Sequence, residues 1–433
     1  MERNFCHVDG LGYLLQRDAM TDIATIVRLL VILLLVALTV IFITRLLAVP
    51  YTLGLVIVGL LIGIFGHTLG VQLTPDLVLF VFLPALLFEG SWSIQVERLR
   101  KNWLIIFLLA VPGLLLSLGL IALLLHFFAG LIWEDAFLLA AILSPTDPVA
   151  VLGLFRQLKV DEDLSTIIEG ESLFNDGVAG ALYQVFLALV LIAVHQQAMR
   201  TGQLFSLGLE TLLLEAGGGV LLGCLAGFLI SRFVKFIDDP LIETTITIVT
   251  AYGIYLLADF LHTSGILAVI MAGLILGSYG QRMGMSARTR DFVDDFWSIV
   301  AFVVNALLFL LVGVQLNPTN FLASEEALHL LLVAGLSIIA VLLARFMMVL
   351  LLPRRSAPAP GLRLRSWRFT IFWSGLRGAL SLALVLALPL EVPDRSSLIF
   401  STYAVVLFTL LVQGISLRWI VKRLPSVNAL NLS

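Results

Sequence analysis

Six ionisable side chains lie inside long apolar runs of this 433-residue sequence. A charge in the middle of a membrane-spanning segment costs several kcal/mol, so such residues are rare and generally serve binding or transport. The six residues are Glu89, Asp147, Glu171, Asp176, Arg345 and Arg377. Most of them fall in three short polar segments.

The first polar segment is SPTDP at residues 144–148. Its two prolines remove backbone donors and disfavour helix in the residues before them, which predicts a break in the helix. Such a break frees backbone carbonyls and exposes half-helix ends, which is how many secondary transporters build ion sites. Thr146 would offer oxygen ligands, and Asp147 a charge against a positive helix end. A kinked helix that only packs is the simpler alternative.

The second polar segment is EGESLFNDG at residues 169–177. Glu171 and Asn175 are four residues apart, as are Ser172 and Asp176, so all four lie on adjoining strips of one helical face. Carboxylate, hydroxyl and amide oxygens suit a hard cation such as Na⁺ or Li⁺, and no neighbouring His or Cys indicates a transition metal. The simpler alternative is a solvated helix end with one buried aspartate.

The third polar segment is WSGLRGALS at residues 373–381. Glycines flank Arg377 and permit a close helix approach or local unwinding. Because a buried arginine without an acid is severely penalised, Arg377 needs a counter-charge, for which Asp147 is a candidate. This pairing leaves Arg345, in the preceding apolar run, for Glu171.

The composition indicates the elements that hold these segments. Hydrophobic residues make up 60% of the chain and charged residues 13%, with a mean hydropathy of +1.07. These values are typical of an all-α polytopic membrane protein and exclude a soluble enzyme, a disordered chain or a membrane β-barrel. Two cysteines cannot build a disulfide framework, and a net charge of −3 gives no reason to expect a nucleic-acid partner.

Thirteen apolar runs are candidates to span a bilayer, two of them short. They are 23–47, 51–73, 76–92, 102–128, 134–155, 167–195, 205–235, 241–261, 265–281, 292–316, 325–352, 367–389 and 397–421. With the N-terminus outside, nineteen of the 26 Lys and Arg residues fall on the inner side and five on the outer side. The positive-inside rule therefore predicts an outer N-terminus and a cytoplasmic C-terminus.

Six stretches of the sequence, in the same order, resemble the monovalent cation:proton antiporter-1 family, specifically the bacterial NhaP-type sodium/proton antiporters. The combination of T-D-P, E-S-x-x-N-D and G-L-R-G is highly specific, although each motif alone is weak. The stretches are FLPALLFEGS (82–91), SPTDPVAV (144–151), EGESLFNDG (169–177), SGILAVIMAGLILG (264–277), NALLFLLVGVQL (305–316) and SGLRGALSLAL (374–384).

The resemblance implies two inverted six-helix repeats in which the fifth and twelfth spans are discontinuous and cross. It also implies a homodimer in the inner cell membrane. The implied parts are an extracytoplasmic tail (1–22), dimerisation-side helices (23–92 and 241–316), a linker helix (205–235) and core helices (102–195 and 325–421).

The resemblance also implies roles for the candidate residues. Asp176 would be the exchanging carboxylate, with Ser172 and Thr146 as further Na⁺ ligands. Glu171 would pair with Arg345, and the charges of Asp147 and Arg377 would compensate the crossed helix ends. Asn175 stands where the electrogenic sister family has a second aspartate. Because Asn175 cannot titrate, we expect one proton per Na⁺ and electroneutral exchange.

These expectations leave alternatives open. Potassium/proton exchange on the same scaffold is the nearest, since the sequence does not separate the two cations. An intramembrane aspartyl protease would use Asp147 and Asp176, and a passive channel would need no carboxylate in a broken-helix site. We expect no cofactor, and as partners only monovalent cations, protons, the lipid bilayer and a second copy. For Glu89, we favour an interfacial position over one in the ion funnel.

Overall fold

The structure is a computed structural model whose regular elements are all helices. It describes residues 8–47, 50–65, 74–195, 208–281, 284–315, 327–352 and 364–421, and of residues 8–23, 26, 364 and 365 it describes the backbone alone. The first seven residues of the predicted tail and residues 66–73 of the second predicted span lie outside this description.

The described residues form fifteen helices, if a helix is counted as continuous through a π-helical turn. They are α1 (Val8–Leu47), α2 (Tyr51–Phe65), α3 (Leu77–Ser93), α4 (Val96–Ala129), α5 (Trp133–Leu143), α6 (Val149–Leu158), α7 (Glu162–Val194), α8 (Gly208–Val234), α9 (Pro240–Phe260), α10 (Gly265–Gly280), α11 (Ala287–Gln315), α12 (Ala327–Leu350), α13 (Leu364–Trp373), α14 (Ala379–Leu386) and α15 (Arg395–Val421).

Eight of these helices are long and apolar enough to cross a membrane. Each of the thirteen predicted spans overlaps one helix, except the fifth and the twelfth, which are each divided in two. Helix α1 begins at Val8, well before its apolar part at Val27–Leu47, so its backbone is helical where we expected a tail. The chain is thus a multi-pass, all-helical membrane protein.

The two breaks occur at the segments that the sequence singles out. Helices α5 and α6 are separated by residues 144–148, which contain the two prolines, and α13 and α14 by residues 374–378, which contain two glycines. The breaks touch, because the backbone N–H of Asp147 donates a 2.8 Å hydrogen bond to the carbonyl of Leu376. The predicted discontinuity of the fifth and twelfth spans is therefore present in the backbone.

The helices pack in two groups. Helix α2 packs against α11, α3 against α10, and α8 and α9 against α10, whereas α4 packs against α7 and α12, α5 against α7, and α12 against α15. The two broken spans lie within the second group. This division places α7, which carries two of the candidate carboxylates, at the boundary with α3 and α10.

Helices α2 and α11 cross at a pair of glycines. A Cβ atom on Gly59 would collide with the carbonyl oxygen of Leu310 and lie 2.9 Å from the Cα of Gly313, and a Cβ on Gly313 would collide with the carbonyl oxygen of Val56. Since no Cβ atom is present at either position, the two backbones touch, as in other membrane helix pairs with small interfacial residues.

We expect Gly59→Ala to separate α2 from α11 and to destabilise the protein by about 1–3 kcal/mol, the usual cost of overpacking. The measurement is the melting temperature of the purified protein in detergent. The matched control is Gly119→Ala on α4, where an added Cβ would meet no atom within 4 Å and helix propensity favours alanine. Equal melting temperatures for the two variants would contradict the close crossing.

Candidate functional site

The three polar segments meet around one cavity of about 320 Å³. Its wall is made by α2, α3, α6, α7, α11 and α14 together with the broken segment before α6. The predicted residues Thr146, Asp147, Ser172 and Asp176 all line it. The cavity therefore brings the T-D-P segment, the acidic helix face and the start of α14 into a single site.

The unwound segment before α6 is held by Asn175 of α7. The Asn175 amide nitrogen donates to the Thr146 hydroxyl at 2.7 Å, and its amide oxygen accepts from the Thr146 backbone N–H at 3.4 Å. The Thr146 and Ser172 hydroxyl oxygens are 2.9 Å apart. Asn175 fills one lone pair of the Thr146 hydroxyl, and either hydroxyl can donate in the bond between Thr146 and Ser172. In both cases Ser172 keeps a lone pair for a cation.

Asp176 follows Ser172 by one helical turn. Its side chain is partly buried and lines the cavity, and no described residue donates a hydrogen bond to its carboxylate. Ser172 and Thr146, by contrast, are buried and bonded to each other. The carboxylate of Asp176 is thus an acceptor in the cavity that remains available for a ligand beside these two hydroxyls.

Asp147 joins the starts of two half-helices. Its carboxylate accepts from the backbone N–H of Val149 at 2.9 Å and from that of Ala379 at 3.5 Å, the first residues of α6 and α14. A Cβ on Gly378 would collide with this carboxylate, which explains the glycine at that position. A negative charge between two positive helix ends is favourable.

Arg377 compensates the opposite helix end, but it does so without Asp147. Its guanidinium donates to the carbonyl oxygens of Ser144 and Pro145, at 2.9 and 3.0 Å, just beyond the end of α5. The expected counter-charge for Arg377 is therefore replaced by backbone carbonyls, because Asp147 is turned towards helix N-termini instead. The Arg377 backbone N–H donates to the hydroxyl of Thr409 at 3.1 Å.

Glu171 and Arg345 form the predicted ion pair between α7 and α12. Their side chains are 2% and 5% exposed, respectively, and they bond through both carboxylate oxygens, one bond measuring 2.9 Å. Arg345 also donates to the carbonyl of Ile371 on α13 at 3.0 Å. A Cβ on Gly375 would lie 2.8 Å from the Arg345 guanidinium, so this glycine gives the pair its space.

Several residues of the site were not predicted from the sequence. Thr409 and Asn305 are buried polar residues of apolar helices, a signal that could have been used. Glu169 and Arg156 line the cavity and looked like ordinary helix-end charges. Glu89 lines the cavity wall, so our preference for an interfacial position was wrong.

A second cavity, of about 480 Å³, adjoins the first, since Glu89 and Ser298 line both. Its wall includes the connection between α3 and α4 and the carboxylate of Asp294, which accepts from the Trp92 indole at 2.5 Å. Together the two cavities lead from Asp176 to the end of the molecule where Glu169 and Arg156 lie.

The site can hold a small hard cation. It offers one carboxylate with neutral hydroxyl oxygens, and hard cations prefer oxygen ligands. Within the described part of the chain, no group of three or more His, Cys, Asp or Glu side chains could hold a metal ion. Next to the Thr146–Ser172 hydroxyls, the Asp147 carboxylate is already bonded to two helix starts, whereas that of Asp176 has no donor among the described residues. An ion bound beside these hydroxyls therefore meets one uncompensated carboxylate, which favours a monovalent ion.

Residues 30–423 match the family model described as "Sodium/hydrogen exchanger, transmembrane". The chain belongs to the sodium/hydrogen exchanger family. The NhaP-type resemblance is thereby confirmed, and membership of a transporter family removes the protease alternative.

Members of this family include relatives that match most of the chain. The low-affinity Na⁺/H⁺ antiporter NhaS1 of Synechocystis is 38% identical over 381 residues, 88% of this chain and 70% of the relative. The Na⁺/H⁺ antiporter ApNhaP of Aphanothece halophytica is 40% identical over 378 residues, 87% of this chain and 70% of the relative.

The fold is shared with the solved sodium proton antiporter MjNhaP1 of Methanocaldococcus jannaschii. The TM-score is 0.72 at 19% identity, and the match covers 93% of this chain and 99% of that one.

We expect Glu171→Ala and Arg345→Ala each to destabilise the protein by about 3–5 kcal/mol, because each leaves one buried charge unpaired. The double variant Glu171→Leu/Arg345→Met removes both charges and should be recovered in larger amounts than either single variant. The measurement is the yield of monodisperse protein and its melting temperature in detergent. A loss of melting temperature in the double variant equal to the sum of the two single losses would contradict an energetic coupling between Glu171 and Arg345.

Proposed function

We propose that this chain exchanges Na⁺ for H⁺ across the membrane and that both ions compete for the carboxylate of Asp176. The observation that carries the proposal is the position of this carboxylate. It lines a cavity beside the Thr146–Ser172 hydroxyl pair and receives no hydrogen bond from any described residue. The relatives named as Na⁺/H⁺ antiporters support the same pair of ions.

Competition follows from charge balance at one acid. A bound cation favours the charged form of a carboxylate, whereas removal from water favours the protonated form. Either a proton or a Na⁺ ion neutralises Asp176, but the single negative charge does not hold both. Loading on each side of the membrane therefore depends on the two ion concentrations together.

Coupling follows from the cost of moving an empty site. An empty Asp176 would carry an uncompensated charge through the apolar boundary between the two helix groups, which is costly. A site that holds either ion is neutral and can cross. The protein would therefore stall when empty, and each Na⁺ would be exchanged for one proton.

We further propose an outer N-terminus and a cytoplasmic C-terminus. On this orientation, Arg156 and Glu169 lie on the cytoplasmic side, and the two adjoining cavities open towards that side. The described conformation would then be inward-facing. The excess of Lys and Arg on the same side supports this orientation.

Two inverted repeats, α1–α7 and α9–α15, account for the packing pattern. A repeat that relates α2 to α10 and α3 to α11 requires that a contact between α2 and α11 be matched by a contact between α10 and α3. Both contacts occur. In the same way, the α4–α7 contact corresponds to the α12–α15 contact. Glycines lie at both crossings, since a Cβ on Gly277 would meet the backbone of Trp92.

We also propose that α1–α3 and α9–α11 form the dimerisation side, that α4–α7 and α12–α15 form the mobile core, and that α8 is the linker. The separate packing of the two groups supports this division. Native mass spectrometry in mild detergent would show a dimer, and a monomer at all protein concentrations would reject this part of the proposal.

We expect Asp176→Asn to abolish Na⁺-driven proton movement, because an amide cannot exchange a proton for a cation. The assay follows a pH-sensitive dye in proteoliposomes after addition of Na⁺, Li⁺ or K⁺ salts. Wild-type protein should respond to Na⁺ and Li⁺. A response to K⁺ alone would replace the proposal by potassium/proton exchange on the same site.

The matched control for Asp176→Asn is Glu162→Gln on the same helix. The Glu162 side chain is 67% exposed and pairs with Arg98 at the surface, where an ion pair contributes about 0–1 kcal/mol. This variant should keep its exchange activity. Sodium-driven proton movement in Asp176→Asn equal to that of the control would reject the role of Asp176.

Electroneutral exchange is expected because Asn175 has no second proton to release. A thiocyanate diffusion potential of either sign, imposed on proteoliposomes at equal pH on both sides, should leave the initial rate of ²²Na⁺ uptake unchanged. A rate that follows the imposed potential would contradict a stoichiometry of one proton per Na⁺.

A further inference from the structure

A set of buried polar groups begins at the edge of the first cavity and extends beyond Asp176, in the direction away from the second cavity. Asp135 of α5 is fully buried, and neither of its carboxylate oxygens has a hydrogen-bond partner among the described residues. The hydroxyls of Tyr183 on α7, Ser381 on α14 and Ser401 on α15 are likewise buried and unpartnered. The mechanism proposed above uses none of these four groups.

The four helices that carry these groups pack together. Helix α5 contacts α7, α14 and α15, and α14 contacts α7 and α15. Ser381 connects this set to the candidate site, because it lines the cavity that contains Asp176. The polar groups therefore begin where the cavity ends.

Three of the groups lie at a similar depth. At 1.5 Å per residue, Tyr183 is about 10 Å beyond Asp176 and on the same face of α7, because seven residues make about two turns. Ser401 is about 12 Å from Thr409, the residue of α15 that contacts the helix break. Asp135 is about 13 Å from Ser144, at the near edge of that break.

The set reaches the far surface of the molecule at the turn before α15. The exposed Asp394 and the neighbouring Glu134 both repel the charged form of Asp135, and the positive charge of Arg395 acts on the hydroxyls of Tyr183 and Tyr403. Between this level and Asp176 the packing is apolar and tight. A Cβ on Gly180 would lie 2.8 Å from the side chain of Ile266.

An isolated buried carboxylate is costly unless a proton or a cation neutralises it. Four unpartnered polar groups at one helix junction are also unusual, because buried polar atoms are nearly always bonded. Both features are accounted for if the groups face water and ions in another conformation of the same helices. In that conformation, hydroxyl and carboxylate oxygens would suit the same hard monovalent cation as the main site.

We propose that Asp135, with the hydroxyls of Tyr183, Ser381 and Ser401, lines the second half of the ion route. This half opens at the face opposite the cavities and is closed in the described conformation. Asp135 is there a positioning residue that holds the arriving or departing monovalent cation before it reaches Asp176. This inference rests on the exchange activity proposed above.

The test measures ²²Na⁺ uptake driven by an outward proton gradient, in everted and in right-side-out membrane vesicles from cells without other sodium/proton exchangers. We expect Asp135→Asn to raise the half-saturating Na⁺ concentration about tenfold when Na⁺ arrives from the face opposite the cavities, equal to about 1.4 kcal/mol of binding. Half-saturation from the cavity side should stay within twofold of wild type.

The matched control is Glu391→Gln, which removes an exposed acid from the turn before α15 on the same face and should change neither value. An equal change from both sides in Asp135→Asn, or no change from either side, would overturn the inference. If Asp135→Asn is not recovered folded, the same measurement is made on Tyr183→Phe and Ser401→Ala. A rise in the half-saturating Na⁺ concentration only from the face opposite the cavities supports the route, and any other result overturns the inference. Absence of exchange in wild-type vesicles would instead overturn the proposed function itself.

Discussion

Two interrupted helices can cross in the middle of a membrane protein only if their four free ends are satisfied. Here the ends satisfy one another. One backbone hydrogen bond, from the N–H of Asp147 to the carbonyl of Leu376, joins the two breaks. The Asp147 carboxylate accepts from the first backbone N–H groups of α6 and α14. Arg377 donates to the two carbonyls that follow the end of α5. Without this arrangement several backbone groups would lie unpaired in an apolar interior, each at a cost of several kcal/mol.

The candidate site is a consequence of this crossing. The unwound Thr146 lies next to the polar face of α7, and Asn175 fixes it there through two hydrogen bonds. The Glu171–Arg345 pair performs a similar task one turn away, since it joins α7 to α12 and, through the carbonyl of Ile371, to α13. Most of the charges that the sequence singles out are therefore used to hold the backbone, whereas the Asp176 carboxylate has no hydrogen-bond donor among the described residues.

Most of the fold and the position of the site could be predicted from the sequence, because the decisive signals are local. Apolar length marks the spans, the prolines at 145 and 148 mark one break, and charges in apolar runs mark the site. The partners of those charges were harder to predict. Arg377 bonds to carbonyls rather than to Asp147, since the helix ends compete for both groups, and no spacing rule describes that competition. Glu89 faces a cavity that exists only once α3, α7 and α11 are packed.

The double attachment of Asn175 to Thr146 has a consequence for selectivity. Because the unwound segment and α7 are tied by both ends of one amide, the two hydroxyls and the carboxylate next to them keep their mutual spacing as long as that amide stays bonded. The arrangement of these oxygen ligands would then be the same whether the site is open to one side of the membrane or to the other. Discrimination between cations by size would be a property of this small assembly alone, and the surrounding helices would govern only how quickly each compartment is reached.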